Sequence, residues 1–298
     1  MTEHSEILTK DKSTLQPFLE CMDHTVSRET FTLMLDDSTG LLTTTPKPKD
    51  ENLDKYYESA DYISHTDSKK SFLDKIYQLV KNYSTKQKLK LINALDSETK
   101  SILDIGCGTG DFLEVCKKTG WDIKGIEPND KARNLALKKL KDKDFLVNNI
   151  NCLLESNHRS YDVITMWHVL EHVPDLEEQI VYLKKLLKKN GTLIIAVPNY
   201  KSHDAEHYGK YWAAYDVPRH LWHFSRKSLS LIFAEFGFKI VKTLPMIFDA
   251  YYVSLLSEKY RSGKSNPVQA FIRGFISNAK AKRTKEYSSL IYILKTDE

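Results

Sequence analysis

From about residue 100 onward, short apolar runs alternate with amphipathic stretches, and that rhythm predicts the architecture. The runs at 101–105, 121–126, 145–147, 161–166, 192–197, 238–243 and 289–294 are bounded by glycine, proline, asparagine or other polar residues, and each reads as a strand. Between them apolar residues recur at helical spacing, as in Ala132, Leu135, Ala136 and Leu140, in Leu176, Ile180, Leu183 and Leu187, and in Leu229, Ile232 and Phe233. Asn129 and Ser225 stand where helix caps stand, and Pro174 suits a first turn. Gly120, Gly191 and Gly237 stand where helices close. Strands alternating with helices of this length predict a parallel sheet covered on both faces.

Ahead of this region the pattern is weaker. Residues 1–16 are polar and read as a frayed end. Residues 17–46 alternate loosely, through Thr25-Val-Ser27 and then two short strand-like runs, Phe31-Thr-Leu-Met-Leu35 and Leu41-Leu-Thr-Thr44, around an Asp36–Gly40 turn, which predicts a small hairpin ended by Pro46 and Pro48. Tyr56, Tyr57, Tyr62 and His65 crowd the next stretch and suit packing of the hairpin onto the main domain. Residues 69–95 have helical periodicity, with a break expected near Ser84. The forty or so residues between the last two strands, 244–286, carry helical signals of their own.

Composition narrows the class. With 41% hydrophobic and 28% charged residues the chain reads as soluble and globular, and a net charge of only +4 gives no general polyanion-binding role. No apolar run approaches the roughly 20 residues that span a bilayer. The polar first 30 residues do not read as a secretory leader. Cys21, Cys107, Cys116 and Cys152 form no C-x-x-C pair, so no structural zinc or disulfide framework is expected, and a reduced, cytoplasmic setting is.

The chemistry concentrates where the first strand of the alternating region ends, in Asp104-Ile-Gly-Cys-Gly-Thr-Gly-Asp111. A strand, a glycine-rich turn and a helix start form a nucleotide-type binding corner. The glycines fall at 106, 108 and 110, and Asp111 occupies the place of the last glycine of a dinucleotide fingerprint. Acids on both sides of the turn disfavour a pyrophosphate and favour a ligand with a cationic, zwitterionic head. In an open parallel sheet ligands bind at the carboxyl ends of the strands. Those ends carry Asp104, Glu127-Pro128, Asn149-Ile150 and Trp167-His168.

The pattern D-x-G-C-G-T-G resembles the first motif of class I S-adenosylmethionine (SAM) methyltransferases, and Tyr161-Asp-Val-Ile-Thr-Met-Trp-His-Val-Leu-Glu-His-Val-Pro-Asp175 resembles their fourth-strand motif. The likeness covers about residues 100–200 and points to a bacterial branch with the methyltransferase domain 23 pattern. It implies a Rossmann-like, seven-stranded, mostly parallel sheet with helices on both faces, an antiparallel last strand and a small N-terminal hairpin appendage. It also implies SAM as cofactor, held by Asp104, Gly106, Cys107, Gly108, Gly110, Glu127, Pro128, Asn149, Ile150, Trp167 and His168. Glu127, 21 residues beyond Gly106, suits the two ribose hydroxyls. Residues 1–50 resemble a degenerate zinc ribbon in which Asp36 and Thr39 stand at thiolate positions. Residues 51–298 then form the methyltransferase domain, with substrate-cap insertions at about 199–224 and 244–286.

The segment Trp212-Ala-Ala-Tyr-Asp-Val-Pro-Arg-His-Leu-Trp-His-Phe224 resembles one in that bacterial branch. Two readings of it stay open: a substrate mouth, or an Asp216–Arg219 pair with packing aromatics. His220, His223 and Asp216, then His168, are the candidate general bases. His168, Glu171 and His172 also have ligand-like spacing, similar to a divalent-ion cluster in related quinone O-methyltransferases, yet packing of His172 explains it as well and no metal is expected. The expected activity is transfer of the SAM methyl to a small-molecule acceptor, at oxygen or carbon in preference to nitrogen. The alternative is a SAM-binding regulatory or scaffolding protein without turnover. No nucleic acid partner is expected, and aromatic residues followed by lysines in 271–285 suit a weak membrane-surface contact. Gly106→Arg or Gly108→Arg is expected to abolish SAM binding in calorimetry while circular dichroism shows the fold largely retained; undiminished binding contradicts the assignment of the corner.

Overall fold

The computed structural model describes residues 15–49, 54–57, 72–141, 145–154 and 160–297. The chain begins with three strands, β1 (Leu15–Met22), β2 (Thr30–Asp36) and β3 (Leu42–Thr45). A long helix, α1 (Phe72–Asn93), leads into β4 (Ser101–Ile105), α2 (Asp111–Lys118), β5 (Asp122–Ile126), α3 (Asp130–Leu140), β6 (Leu146–Val147), α4 (Asn151–Leu154), β7 (Tyr161–Trp167), α5 (Leu176–Leu186) and β8 (Leu187–Pro198). There follow α6 (His203–Tyr208), β9 (Trp222–His223), α7 (Arg226–Glu235), β10 (Phe238–Pro245), α8 (Asp249–Ser262), α9 (Pro267–Thr284) and β11 (Ser289–Thr296).

Seven of the strands form one sheet in the order β10-β11-β8-β7-β4-β5-β6, in which β11 runs antiparallel to both of its neighbours and the other pairs are parallel. This is the Rossmann-like sheet with an antiparallel last strand that the sequence implied. Successive residues face opposite sides of a strand, and both sides are buried. Leu103, Ile164, Leu193 and Ile195 pack with Ile180 and Leu183 of α5 and Ile232 and Phe233 of α7. Ile102, Val163 and Ile194 pack on the other side with Ile92 of α1, Leu113 and Cys116 of α2 and Ala136 of α3. Each such aliphatic side chain contributes about 1.5–3 kcal/mol by leaving water.

Two expectations are corrected. Helix α1 runs through Ser84, and Thr85 Oγ1 donates to Lys81 O at 2.9 Å, satisfying itself on the helix instead of opening it. Gly191 does not close α5. That helix ends at Leu186, Leu187 is already extended, and residues 188–191 fall out of register between the pairs Tyr161–Leu187 and Val163–Thr192. Residues 24–27 form a turn, and the strand preceding it, β1, was not expected. Pro17 hides β1 from pattern reading, yet β1 is an edge strand with a register shift at Pro17, which is where a strand tolerates proline.

The Asp36–Gly40 turn joins β2 to β3 as expected. Its carboxylate does locally what a bound ion does elsewhere: Asp36 accepts from Ser38 N at 2.9 Å, Ser38 Oγ at 2.7 Å and Thr39 Oγ1 at 2.7 Å. Asp23 organises the preceding turn in the same way, accepting from the amides of Thr25, Val26 and Ser27. The N-terminal sheet is completed by β9, which pairs with β3, so its order is β1-β2-β3-β9. Phe31, Leu33 and Leu42 share a core with Tyr200, Tyr208, Trp212 and Tyr215. Tyr56 packs there too, edge-on to Phe31, with its hydroxyl donating to Glu29 at 2.7 Å. Tyr62, His65 and the side chain of Tyr57 lie outside the described residues.

Arg219 pins this assembly together. Its guanidinium is 3% exposed and donates to both oxygens of Asp216 (2.6 and 3.0 Å), to Asp23 Oδ1 (3.1 Å) and to Tyr56 O (3.0 Å). Burial raises the Asp23 carboxyl pKa, but the turn amides and Arg219 overcome it and hold the group well below the usual carboxylate range. A carboxyl depressed in the folded state stabilises above its unfolded pKa of about 3.9 and loses that contribution on acidification. Arg219→Met leaves the buried Asp23 and half-buried Asp216 carboxylates without their cation, so it is expected to destabilise by about 3 kcal/mol in urea unfolding. A change below about 1 kcal/mol contradicts the pinning role.

Candidate functional site

The site is built where the sheet's winding reverses, because β5 lies on one side of β4 and β7 on the other. Such a switch point opens a crevice at the carboxyl ends of the strands. After Ile105 the chain must turn sharply, and Gly106, Gly108 and Gly110 take positive φ values of 69°, 56° and 76°. Gly106 N and Cys107 N donate to Ile126 O at 2.8 and 3.1 Å, tying the turn to the end of β5. Gly110 then caps α2. The glycines differ in space. A Cβ on Gly106 meets Val169 Cγ2 at 2.4 Å, whereas one on Gly108 meets nothing within 4 Å. An arginine at 106 therefore clashes with Val169 as well as straining the backbone, whereas Gly108→Arg carries only the positive-φ cost of about 1–2 kcal/mol and is the variant expected to separate binding from folding.

Two buried carboxylates face this turn. Glu127, 8% exposed, accepts from Gly108 N and from Asn129 N, each at 2.8 Å. Asp104, 2% exposed, accepts from Thr165 Oγ1 at 2.6 Å. Burial pushes the Asp104 carboxyl up to about 7, against the Thr165 hydrogen bond and the Lys88 charge, and the Glu127 charge adds to the rise. Lys88 comes from α1, with its ammonium 4.3 Å from the centre of the Trp167 ring. Burial lowers its pKa, while Asp104 and Asp249 oppose that. The corner thus carries negative charge, with a lysine ammonium held near it.

The remaining cofactor candidates divide. Cys107 turns its thiol into the core toward Gly125, and burial raises the thiol pKa, so only its backbone faces the turn. Pro128 is exposed, Ile150 is half-buried, and Asn149 Oδ1 accepts from Cys152 N at 3.2 Å at the start of α4. Trp167 stands edge-on to Phe112, and its Nε1 is buried without a hydrogen-bond partner. His168 adopts φ 57°, a conformation uncommon for a residue with a side chain and characteristic of sites under constraint. Its Nε2 lies 3.1 Å from Asp249 Oδ2 and its Nδ1 3.4 Å from Glu171 Oε1. Burial lowers the His168 pKa, but the two carboxylates reverse this and raise it to about 10. Asp249 opens α8, so this pair ties the segment between β10 and β11 over the strand ends.

The 212–224 segment resolves its two readings residue by residue. Asp216 is paired with Arg219 and its carboxyl is held low: burial opposes ionisation and the guanidinium outweighs burial. His223 Nε2 lies 2.9 Å from Thr44 Oγ1, whose own proton goes to His220 O at 2.6 Å, so His223 donates and is committed to the β3–β9 junction. Burial, with the His220 charge, holds its pKa well below 6.5. His220 Nδ1 donates to Ala214 O at 2.9 Å, which leaves Nε2 as a lone pair.

His220 also meets the fourth-strand motif. Its ring is 4.6 Å, edge-on, from His172, whose Nδ1 likewise donates to a carbonyl, Arg219 O, at 2.9 Å. Burial and the His220 charge lower the His172 pKa to about 4. Ligand atoms of Glu171, His172 and His220 lie within 4.8 Å of one another, and among the described residues the Glu171 carboxylate has no hydrogen-bond partner beyond the 3.4 Å approach of His168 Nδ1. Two imidazoles and a carboxylate suit zinc or iron better than magnesium. His220 thus stands where spacing alone had suggested His168.

Lys88, Thr165 and Asp249 escaped sequence reasoning. Thr165 had a usable signal, a polar residue inside an apolar strand next to the glycine motif. An open groove along β1, between Cys21, His24 and Lys210, shares none of these residues.

A family described as a methyltransferase domain matches residues 76–243. Over 104 residues the chain is 35% identical to a ubiquinone biosynthesis O-methyltransferase of Vibrio atlanticus (strain LGP32), which covers 34% of this chain and 44% of that protein. The chain therefore matches less than half the length of that relative. Among solved structures it is similar to magnesium protoporphyrin IX methyltransferase of Synechocystis PCC 6803, with TM-score 0.51 and 15% identity over 82% of this chain and 99% of the other. It is also similar to geranyl diphosphate C-methyltransferase of Streptomyces coelicolor A3(2), with TM-score 0.50 and 15% identity over 78% and 88%. At that identity the likeness is one of fold.

The doubly paired His168 is expected to hold its proton far above the ordinary value of about 6.5. Because its folded pKa is raised, its contribution to holding Asp249 is present at low and neutral pH and is lost as pH rises through about 10. A histidine Cε1 resonance assigned through His168→Gln is expected to titrate near that value; titration near 6.5 contradicts the clamp.

Proposed function

The chain belongs to the methyltransferase-domain family, and from that membership we propose that it transfers the methyl group of SAM to a small-molecule acceptor, at oxygen or carbon in preference to nitrogen. The observation that carries the reading is the corner where Asp104 and Glu127 flank a turn of three positive-φ glycines. That negative corner suits a ligand with a sulfonium and an ammonium. Glu127 would hold the two ribose hydroxyls in place of the Gly108 and Asn129 amides. Asp104 would serve the ammonium end, Ile126 and Ile150 would flank the adenine, and Asn149 would meet its edge. Relatives named as ubiquinone biosynthesis O-methyltransferases favour oxygen as the acceptor atom.

The transfer is an in-line displacement. Bound at this corner, SAM would supply an electrophilic methyl group and a neutral leaving thioether. The leaving thioether is neutral, so the protein's work is positioning and exclusion of water. A hydroxyl acceptor must also lose a proton, and His220 Nε2 takes it, since Nδ1 is tied to Ala214 O. Protonated His168 orients the acceptor oxygen and holds Asp249. Asp216 and His223, considered above as bases, serve here to position His220.

Formation of S-adenosylhomocysteine from labelled SAM with phenolic and catecholic acceptors tests turnover; tight SAM binding with no product on any acceptor or cell extract favours a binding protein instead. Protonation of Asp104 weakens a site for a cation. SAM affinity is therefore expected to fall up to about tenfold per pH unit below about 7. In Asp104→Asn the same calorimetric series is expected to be weak and to lack that fall; an unchanged pH profile contradicts the role of Asp104.

A further inference from the structure

Helix α9 is inside out. Apolar residues at i, i+3, i+4 and i+7 ordinarily face a core. Here Val268, Phe271, Ile272 and Phe275 have that spacing and are 71%, 62%, 44% and 59% exposed. The side turned to the protein is made of Ala270, Gly274, Ser277, Asn278 and Ala281. Small residues there let α9 press against α8, where a Cβ on Gly274 would meet Tyr251 at 2.7 Å. Polar bonds then fix the helix's rotation: Ser277 Oγ donates to buried Asp204 at 2.6 Å, and Asn278 Nδ2 donates to Ile247 O at 2.9 Å. The aromatic face is held outward by these contacts.

The charge around this face has one sign. Residues 259–285 contain eight lysines and arginines and no aspartate or glutamate, although the whole chain carries only +4. Lys280, Lys282, Arg283 and Lys285, at the end of α9, are exposed. The apolar surface continues toward the strand ends: exposed Phe248 packs edge-on against Tyr83, and the next residue, Asp249, holds His168.

We propose that the outer face of α9 docks on an anionic phospholipid surface, with Phe271 and Phe275 in the headgroup–acyl boundary and the basic residues against phosphates. The two halves of the patch suit that occupant together. A soluble polyanion uses the lysines and has no need of the phenylalanines. A second copy docking through the same face brings two surfaces of the same positive sign together, a like-charge juxtaposition that disfavours pairing. Among the described residues no helix is long and apolar enough to cross a membrane, so the contact is peripheral. The proposal is independent of methyl transfer and is tested without cofactor.

The full chain is sedimented with vesicles of phosphatidylcholine alone and with added phosphatidylglycerol, at low and high salt. It is expected to pellet with the anionic vesicles, to lose most of that binding in high salt, and to stay in solution with neutral ones. Phe271→Ser with Phe275→Ser, and separately Lys282→Glu with Arg283→Glu, are each expected to lose most of the pelleted fraction while circular dichroism and melting stay unchanged. Phe271 also stacks on Tyr251, with ring centres 5.3 Å apart, so Phe275→Ser alone is the variant that removes none of that packing, and it too is expected to lower the pelleted fraction. No pelleting with anionic vesicles overturns the proposal. Loss in the charge variant alone, with equal binding to DNA, overturns it in favour of a polyanion site. A dimer in wild-type sedimentation that the phenylalanine variant abolishes, without vesicle binding, assigns the face to a second copy.

Discussion

Two carboxylates buried at one turn set the terms for this molecule. Asp104 and Glu127 end adjacent parallel strands there, and the cost of burying the charge is what chiefly lifts Asp104 toward neutrality, with the Glu127 charge adding to the rise. Everything nearby responds to that cost. Thr165 donates to Asp104, the Gly108 amide donates to Glu127, and Lys88 is drawn from α1 to the Trp167 face. A ligand that brings fixed positive charge relieves the strain that these contacts only reduce, and SAM carries such a charge at its reacting atom.

The segments outside the sheet are organised by two further buried charges. Arg219 holds the N-terminal sheet to the crossover after β8. Asp204 does the same for the last helices, accepting from Trp212 Nε1, Ser277 Oγ and Ser288 Oγ at 2.6–2.8 Å. Arg219, Asp216 and His223 are committed to this framework, which also holds the His220 ring beside Glu171 and His172 and separately fixes the outward aromatic face of α9.

The sheet was legible because its strands are buried on both sides and read as plain apolar runs, such as Ile102 to Ile105 and Ile164 to Met166. Glu127 was legible because its distance along the chain from the glycines is set by one helix and one strand. Position along the chain says less where tertiary contacts decide. Lys88 lies on a helix whose rotation depends on α2, and Asp249 reaches His168 only because α8 folds back over the sheet. Pro17 concealed an edge strand, and Gly191 mimicked a helix stop within a strand that begins early. An Asp216–Arg219 pair was one of two readings that the residues left open, and the third partner, Asp23, shows that the pair belongs to the framework.

The most direct test is a crystal structure of the chain with S-adenosylhomocysteine. The account predicts the ribose hydroxyls on Glu127, with the Gly108 amide released from its present 2.8 Å bond, and the amino-acid end beside Asp104. A ligand bound elsewhere, or bound at this corner with Glu127 still held by the Gly108 amide, contradicts it.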